Sequence, residues 1–425
     1  MDRRRFVGTA AAASGILLLK PKTVFGYEAN SAVRLALLGC GSRGTSVAES
    51  FLNNTNARVV ALADLFPDKL EPAKTRIDQV ADEKGHPKID PKMMFHGHTA
   101  FEEVASSPDI DAVQISTPPW FHVQHLDAAV RGGKHVYCEK PIGVDVAQSK
   151  QALEIGKRAE GKVSLEVGFQ IRSAPPFVET IRRIQQGGVG KIGTIAANYN
   201  APASTYPPMP NMSADELRIR RWYWDLVLSG DIIVEQAIHL VDICNWALQA
   251  HPIKATGTGG RNIISHPGDT WDNYEVAFTY PDNVHVSFSC TQFGPNDWFD
   301  VSARIFGADG YAEIPYSGAM RIVGDHAWTW AGGQSTQPSA PAKFAANGVF
   351  NDNLAQAQRE KDRGFIDSIT SGNFHNQSAA GVETALSAML GRMAGRLGRE
   401  VTWEESLQHG EKFELGINMS QFSCP

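Results

Sequence analysis

The sequence predicts an α/β fold in which a doubly wound parallel sheet comes first and a second, strand-rich domain follows. The chain of 425 residues is longer than one ordinary hydrophobic core accommodates. After residue 33, short apolar runs alternate with amphipathic segments, which is typical of a parallel sheet covered by helices. Later runs such as "WDNYEVAFTY" and "VHVSFSCTQF" are strand-like and separated by Gly, Pro, Asn and Asp turns.

The composition is that of an ordinary globular protein and excludes several classes of partner. Hydrophobic residues make up 42% of the chain and charged residues 20%. The formal net charge of -6 leaves no basic excess to neutralise phosphates, so we expect no nucleic-acid partner. No run of about 18 apolar residues occurs, so we expect no membrane span. His122 and His125 are close without a complementary ligand cluster, so we expect no metal site.

Residues 1–26, "MDRRRFVGTAAAASGILLLKPKTVFG", resemble a twin-arginine export signal. Three arginines and Phe6 precede an apolar run from Ala10 to Leu19, and small residues allow cleavage after Gly26. The alternative is a basic tail without a targeting role. The twin-arginine route carries folded proteins, so we expect a periplasmic protein whose cofactor leaves the cytoplasm tightly bound.

The first strand, "VRLALLG", leads into a glycine-rich turn, "GCGSRG". Gly39, Gly41 and Gly44 form G-x-G-x-x-G: the first permits the tight turn, the second lets the backbone approach a pyrophosphate, and the third lets the helix pack closely. We expect Ser42 and Arg43 of this turn to contact the cofactor as well. The motif alone is a weak signal, but here it stands within a complete strand–turn–helix unit, which predicts a dinucleotide-binding Rossmann domain.

The next strand, "ARVVALAD", ends in Asp64. A carboxylate at this place hydrogen-bonds the ribose hydroxyls and repels a 2′-phosphate, so the sequence favours NAD over NADP. The alternative is an incidental surface aspartate after a strand.

Two further strand ends carry polar residues. "DAVQIS" ends at "TPPWFH", and "KHVYC" ends at "CEKP". Ligands bind at the carboxyl ends of the strands in such sheets, so the predicted cofactor-binding residues here are Ser116, Thr117, Pro118, His122, Glu139 and Lys140. A surface ion pair at the strand end is the alternative for Glu139 and Lys140.

The segment "IVEQAIHLVDICNWAL", Ile233 to Leu248, predicts one buried helix because it is apolar nearly all round. Glu235, His239 and Asp242 fall at i, i+4 and i+7 and so share one face. Burying two carboxylates and a histidine without partners would cost several kcal/mol. Partners must therefore meet this face.

In this order, "GCGSRG", "PDIDAVQISTPPWFH", "GGKHVYCEKPIG" and "IVEQAIHLVD" resemble the glucose–fructose oxidoreductase, inositol dehydrogenase and MocA (Gfo/Idh/MocA) family. The resemblance implies a Rossmann domain over residues 33–160 and an α/β domain over residues 161–425, built on a large open, mostly antiparallel sheet. It also implies a homo-oligomer formed through the open face of that sheet.

The resemblance further implies catalytic roles. Lys140 would bind the reacting hydroxyl, and His239 would accept its proton as hydride leaves for NAD⁺. Glu235 would orient the imidazole or hold another hydroxyl, although many relatives carry Asp at that position. Substrate contacts are expected from Gln170, Arg172 and Asp242.

The segment "RIRRWYWD" suggests a sugar-like substrate. Aromatic faces stack on sugar rings and arginines bind hydroxyls or carboxylates, so Arg221, Trp222 and Tyr223 are predicted substrate contacts. Core packing of the aromatic side chains is the alternative. Three functions stay open: a sugar or cyclitol oxidoreductase, an NAD-dependent glycoside hydrolase that oxidises, eliminates and reduces again, and a cofactor-holding sensor without turnover.

Overall fold

A six-stranded parallel sheet forms the amino-terminal part of this computed structural model. Its strand order is β3-β2-β1-β4-β5-β6, as in doubly wound dinucleotide-binding folds. Its central strands are apolar runs buried on both faces, and all four residues of β4 are buried. The strands are β1 (Arg34–Leu38), β2 (Arg58–Asp64), β3 (Met94–His96), β4 (Ala112–Ile115), β5 (His135–Cys138) and β6 (Leu165–Val167).

The structure describes residues 32–203, 206–295, 298–331 and 352–423. The predicted export signal lies outside these residues. Most of the segment "YEANSA" and nearly all of the Gly- and Ala-rich loop around residues 331–348 also lie outside them. An additional cofactor clamp is expected either from "YEANSA" or from the loop "TPPWFH".

Helices connect the parallel strands, as the alternating pattern predicts. They are α1 (Ser42–Asn54), α2 (Leu70–Glu83), α3 (Ala100–Ser106), α4 (His122–Arg131) and α5 (Val146–Ala159). The sheet extends past residue 160, where the sequence places the domain boundary, because β6 pairs with β5 in the same sheet.

A nine-stranded sheet follows, with the order β14-β13-β12-β11-β7-β10-β9-β8-β15. The β7–β10 pair is parallel and the other pairs are antiparallel, which confirms a large, mostly antiparallel sheet. Buried and exposed residues alternate along β9 and β10, so one face is covered and the other is open. The strands are β7 (Ile192–Ala201), β8 (Lys254–Gly260), β9 (Asn273–Thr279), β10 (His285–Gln292), β11 (Asp300–Gly307), β12 (Gly310–Pro315), β13 (Arg321–Gly324), β14 (Trp328–Thr329) and β15 (Val401–Thr402).

The covered face packs on helices, and one helix returns to the first sheet. Phe365 and Ile366 of α11 share a core cluster with Leu35 of β1 and Phe51 of α1, so the carboxyl-terminal part of the chain also supports the first sheet. These later helices are α6 (Pro175–Gln185), α7 (Ala214–Arg220), α8 (Leu226–Ser229), α9 (Ile232–Glu235), α10 (Ile238–Leu248), α11 (Ala357–Ser371), α12 (Ser378–Leu397) and α13 (Trp403–His409).

The described residues lack both a membrane-spanning helix and a metal-binding cluster. They contain no helix that is both long and apolar enough to cross a bilayer. They also contain no group of three or more His, Cys, Asp or Glu side chains arranged to hold a metal ion.

Candidate active site

The glycine-rich turn has the geometry of a phosphate cradle. Gly39 has a φ of +99°, and a Cβ there would lie 2.6 Å from the backbone of Ser116. A Cβ on Gly44 would lie 2.1 Å from the carbonyl oxygen of Gly39, so only glycine lets α1 approach β1 this closely. A Cβ on Gly41 would meet nothing within 4 Å. The turn is therefore closed on the protein side and open at Gly41, which fits a pyrophosphate at the amino terminus of α1.

Asp64 ends β2 next to this turn. Its carboxylate accepts hydrogen bonds from the backbone N–H groups of Cys40 (2.7 Å) and Phe66 (2.9 Å). Burial raises the pKa of the Asp64 carboxyl, which these two bonds partly oppose. Each carboxylate oxygen has a second lone pair, so a ribose hydroxyl can still donate to it.

The residues after β4 divide into two groups. The Ser116 N–H donates to the Leu38 carbonyl, which holds the predicted cofactor residues Ser116, Thr117 and Pro118 beside the turn. His122 is buried, and its ring nitrogens lie 2.7 Å from the Pro141 carbonyl oxygen and 2.8 Å from that of Thr117. Both nitrogens contact the protein's own backbone. His122 thus joins two loops of the site, and its contact with the cofactor stays a prediction.

Arg43 and Glu139, both predicted to bind the cofactor, form an ion pair with each other at 2.9 Å. The Arg43 guanidinium also donates to the Gln358 side chain of α11 at 2.9 Å. Gln358 donates to Asp362 at 2.7 Å, and Ser50 donates to the same carboxylate. Arg43, Glu139, Gln358, Asp362 and Ser50 are termed the Asp362 network below. It links the glycine-rich turn and the "CEKP" segment to α11.

Lys140 meets Glu235 across the two parts of the chain. Its ammonium lies 2.8 Å from Glu235 Oε1 and also donates to the Glu235 backbone carbonyl. In an unbroken helix, that carbonyl would accept a hydrogen bond from the backbone N–H four residues further along the chain. The predicted continuous helix is therefore wrong: it breaks at Gln236 and Ala237 into α9 and α10. Glu235 Oε2 is buried without a hydrogen-bond partner in the described structure.

His239, in the first turn of α10, is buried beside this pair. Burial lowers the pKa of His239 well below its ordinary value, and the positive charges of Lys140, Arg43 and Lys361 lower it further. The imidazole is therefore neutral at neutral pH and able to accept a proton. Its Nδ1 is buried without a hydrogen-bond partner among the described residues, so no hydrogen bond joins Glu235 to this atom.

Asp242, three residues after His239 on α10, already has protein partners. It forms a bidentate ion pair with Arg172 at 2.8 Å and accepts a hydrogen bond from Thr384 at 2.9 Å. Asp242 is almost completely buried. Arg172 and Asp242 are paired with each other in this structure, and their contact with a substrate stays a prediction. Gln170 is half-buried and begins the short helical turn, Gln170–Ser173, that also carries Arg172.

Asp231 fixes the start of α9, which carries Glu235. Its φ of 76° and ψ of 162° lie in a region that is open mainly to glycine. The buried carboxylate accepts four hydrogen bonds, from the backbone N–H groups of Ile232 and Trp271, the Tyr274 hydroxyl and the Arg396 guanidinium. This tertiary network holds a strained backbone in place.

The "RIRRWYWD" segment contributes both core and site residues. Trp224 and Tyr223 are buried, and Trp222 is half-buried and packs against a small apolar cluster that includes Phe121. The Tyr223 hydroxyl and Arg221 Nε are buried without a hydrogen-bond partner in the described part of the chain. The core-packing alternative therefore fits Trp224, while Arg221 and Tyr223 keep polar groups available.

Two groups of site residues were missed from the sequence. Tyr206 lies in a proline-rich loop that gives no periodic signal, yet it is hydrogen-bonded to the Tyr223 backbone and feels the Glu235 charge. Gln358, Lys361 and Asp362 of α11 could have been found. Their i, i+3 and i+4 spacing places them on the same face as the buried Phe365.

Together, the site combines a base with open hydrogen-bonding groups. Neutral His239 and the Lys140 ammonium can handle the proton and the charge of one hydroxyl group. Glu235 Oε2 and the Tyr223 hydroxyl are available to further hydroxyl groups. Buried polar atoms in native proteins are nearly always satisfied, so this concentration of open ones indicates the place of a polyhydroxylated ligand.

Comparison with known proteins identifies two domains. Residues 33–167 match the model described as oxidoreductase family, NAD-binding Rossmann fold, and residues 177–313 match the GFO/IDH/MocA C-terminal domain. An inositol 2-dehydrogenase of Rhizobium meliloti (strain 1021) is 29% identical over 303 residues, which are 67% of this chain and 81% of the relative. A scyllo-inositol 2-dehydrogenase (NAD(+)) of Bacillus subtilis (strain 168) is 29% identical over 288 residues, 65% of this chain and 72% of the relative.

A shorter match and a solved structure complete the comparison. A glycosyl hydrolase family 109 protein of Streptomyces niveus is 30% identical over 132 residues, 31% of this chain and 26% of the relative. A levoglucosan dehydrogenase in complex with NADH and levoglucosan has a TM-score of 0.67 at 17% identity, covering 87% of this chain and 99% of that one. At this identity the structural likeness shows the fold alone.

Proposed function

Because the chain belongs to the Gfo/Idh/MocA family of NAD-binding oxidoreductases, we propose that it oxidises a ring hydroxyl of a sugar, glycoside or cyclitol. The observation that carries the proposal is the Lys140–Glu235 ion pair next to a buried, neutral His239. The inositol dehydrogenases among its relatives support a cyclic polyol as the substrate class.

The side chains divide the chemistry among themselves. When bound, NAD⁺ supplies the acceptor for a hydride. The Lys140 ammonium donates to the oxygen of the reacting hydroxyl and stabilises negative charge that develops there. The O–H proton goes to His239 while the C–H electron pair leaves as hydride, so a C=O bond forms and the atoms balance. Glu235 Oε2 accepts a hydrogen bond from a neighbouring hydroxyl and fixes which carbon is presented.

A redox-neutral glycoside hydrolase is the second candidate. That reaction oxidises the ring, eliminates the aglycone, adds water and reduces the ring again, so it needs a proton-transferring group beyond the one used for oxidation. The buried Tyr223 hydroxyl has no partner among the described residues and feels the Glu235 charge. The match to a family 109 protein also favours this reaction, over a limited stretch.

An activity panel distinguishes these functions. Purified protein is incubated with sugars, cyclitols and nitrophenyl glycosides, with and without added NAD⁺. The proposed oxidoreductase produces NADH in proportion to substrate. The hydrolase releases nitrophenol without net NADH. A protein that does neither with any compound, while still binding NAD⁺, would contradict both and favour a sensor.

We also propose that NAD is used in preference to NADP, because the Asp64 carboxylate next to the turn would repel a 2′-phosphate. Binding of both cofactors is measured by calorimetry. Asp64→Asn should narrow the difference in affinity between them, and its amide oxygen keeps an acceptor for one of the Cys40 and Phe66 N–H groups. Equal affinities in the unmutated protein would overturn this assignment.

Finally, we propose that the protein is exported and retains its cofactor. No pool of free dinucleotide is maintained outside the cytoplasm, so a dehydrogenase that released NADH there would stop. Retention against dilution requires a dissociation constant on the order of nanomolar or below, about -12 kcal/mol. Denaturing desalted protein and assaying the supernatant should release near-stoichiometric NAD(H). A desalted protein that contains no NAD(H) would contradict the proposal of retention.

A further inference from the structure

One arginine of the "RIRRWYWD" segment differs from its two neighbours. Arg218 pairs with Asp225 at 2.7 Å, and Arg220 pairs with Asp68 at 2.6 Å. Within the described residues Arg221 has no carboxylate partner, and its Nε is buried without a hydrogen bond. An arginine in such surroundings is usually paired, because its guanidinium cannot lose its charge to escape burial.

The other cations at the site are neutralised. Three ion pairs cancel their own charges, and His239 is neutral. These pairs are Lys140–Glu235, Arg172–Asp242 and Arg43–Glu139. Among these site cations, Arg221 is therefore the one that pairs with no carboxylate of the described residues.

Arg221 lies in the neighbourhood of the proposed reaction centre. Tyr206 is hydrogen-bonded to the backbone of Tyr223, the residue two positions after Arg221. Burial raises the pKa of the Tyr206 hydroxyl, the charge of Glu235 raises it further, and the charge of Arg221 opposes both. Arg221 and Glu235 are thus within electrostatic reach of one hydroxyl group. Trp222, next in the chain, is half-buried and offers an apolar ring.

Resting on the proposed function, we propose that the substrate is an acidic sugar or glycoside whose carboxylate binds Arg221 while its ring hydroxyls meet Lys140 and His239. The planar guanidinium offers two parallel N–H donors that match a carboxylate. A single positive charge balances a carboxylate, whereas a phosphate monoester carries about -1.5 to -2. The charge balance therefore favours the carboxylate.

The test compares substrates that differ only at C6. Initial rates with NAD⁺ are measured for D-glucose against D-glucuronate, and for methyl β-glucoside against methyl β-glucuronide. D-glucose 6-phosphate is a third arm. We expect kcat/KM to favour the acid by about 10–100-fold, the range of a hydrogen bond to a charged group. Arg221→Gln should remove this preference, and Arg221→Lys should keep part of it. The matched control Arg218→Gln should leave the acid-to-neutral ratio unchanged.

Each result decides between explanations. Preference for the neutral sugar or for the phosphate overturns the proposal. So does a variant Arg221→Gln in which kcat/KM falls equally for the acidic and the neutral sugar. A selective loss of NAD⁺ affinity in that variant would assign Arg221 to the cofactor instead. Binding is followed in parallel by tryptophan fluorescence. Tighter binding of the acid without NADH formation would support the anion site and contradict the oxidoreductase, whereas no binding of either sugar would overturn both.

Discussion

The site around Glu235 and the Asp362 network are built from the same kinds of buried polar group. They differ in how many of those groups have hydrogen-bond partners within the protein. In the Asp362 network, Arg43, Gln358 and Asp362 each have at least two hydrogen-bond partners. Around Glu235, buried atoms of three residues have no partner in the described structure: Glu235 Oε2, His239 Nδ1 and the Tyr223 hydroxyl.

This difference separates structure from function. A buried polar group without a partner costs about 1–3 kcal/mol, so a cluster of such groups persists only where something else satisfies it. The saturated network needs no ligand, and its role is to hold the glycine-rich turn and the "CEKP" segment against α11. The unsaturated site needs one, and its open atoms match the hydroxyl groups of a sugar.

The largest effects should come from the catalytic pair. Lys140→Ala and His239→Ala should each lower kcat by about 10²–10⁴-fold, because each removes a group that acts on the reacting hydroxyl. NAD⁺ affinity should be kept, since the cofactor turn is untouched. Steady-state kinetics and calorimetry measure the two properties separately. Near-wild-type turnover in both variants would show that the reaction takes place elsewhere.

The saturated side offers a matched lysine. Lys361 and Glu166 are almost fully buried and form an ion pair, like Lys140 and Glu235. Lys361→Met should lower the free energy of unfolding by about 3–5 kcal/mol, because among the described residues the buried Glu166 carboxylate then keeps only the His375 imidazole as a side-chain partner. Turnover of the folded variant should fall far less than in Lys140→Ala.

Adding Glu166→Gln to Lys361→Met should recover most of the stability, since no buried charge is then left alone. Chemical denaturation of the single and double variants measures this. If Lys361→Met instead lost turnover without losing stability, Lys361 would have a catalytic and not a structural role, and the contrast with Lys140 would be wrong.

The sequence predicts local features of this site well and distant ones poorly. Gly39 and Gly44 are recognisable because their steric demands arise within one turn. The break after Glu235 is invisible to helical periodicity, since it depends on Lys140, 95 positions away. The bond between Arg43 and Gln358 spans 315 positions. Side chains that meet through tertiary folding therefore have to be read from the structure.

A smaller effect is expected from Asp362. Burial raises its pKa to about 7. Between about pH 4 and 7 the unfolded chain releases the Asp362 proton while the folded chain keeps it. The contribution of the Asp362 carboxyl to the free energy of unfolding therefore falls as pH rises and is lost above pH 7. Asp362→Asn does not titrate. The difference in unfolding free energy, variant minus wild type, should thus rise by at least about 1 kcal/mol from pH 5 to pH 8. A constant difference would contradict the raised pKa.

The smallest effect is expected in the dependence of kcat/KM on pH below neutrality. It tests His239 in the site and Asp362 in its network together. An ordinary histidine is largely protonated at pH 6 and would then be lost as a base. Burial beside positive charges holds the pKa of His239 well below its ordinary value, so its protonation should not lower kcat/KM between pH 7.5 and 6.0. We expect a change of less than about two-fold in this range. Asp362 is the neighbouring group that titrates there, and it reaches the site through Arg43. Any remaining slope should therefore disappear in Asp362→Asn. A decline that persists in this variant and follows a pKa near 6.5 would mean that His239 is more hydrated than its buried position indicates.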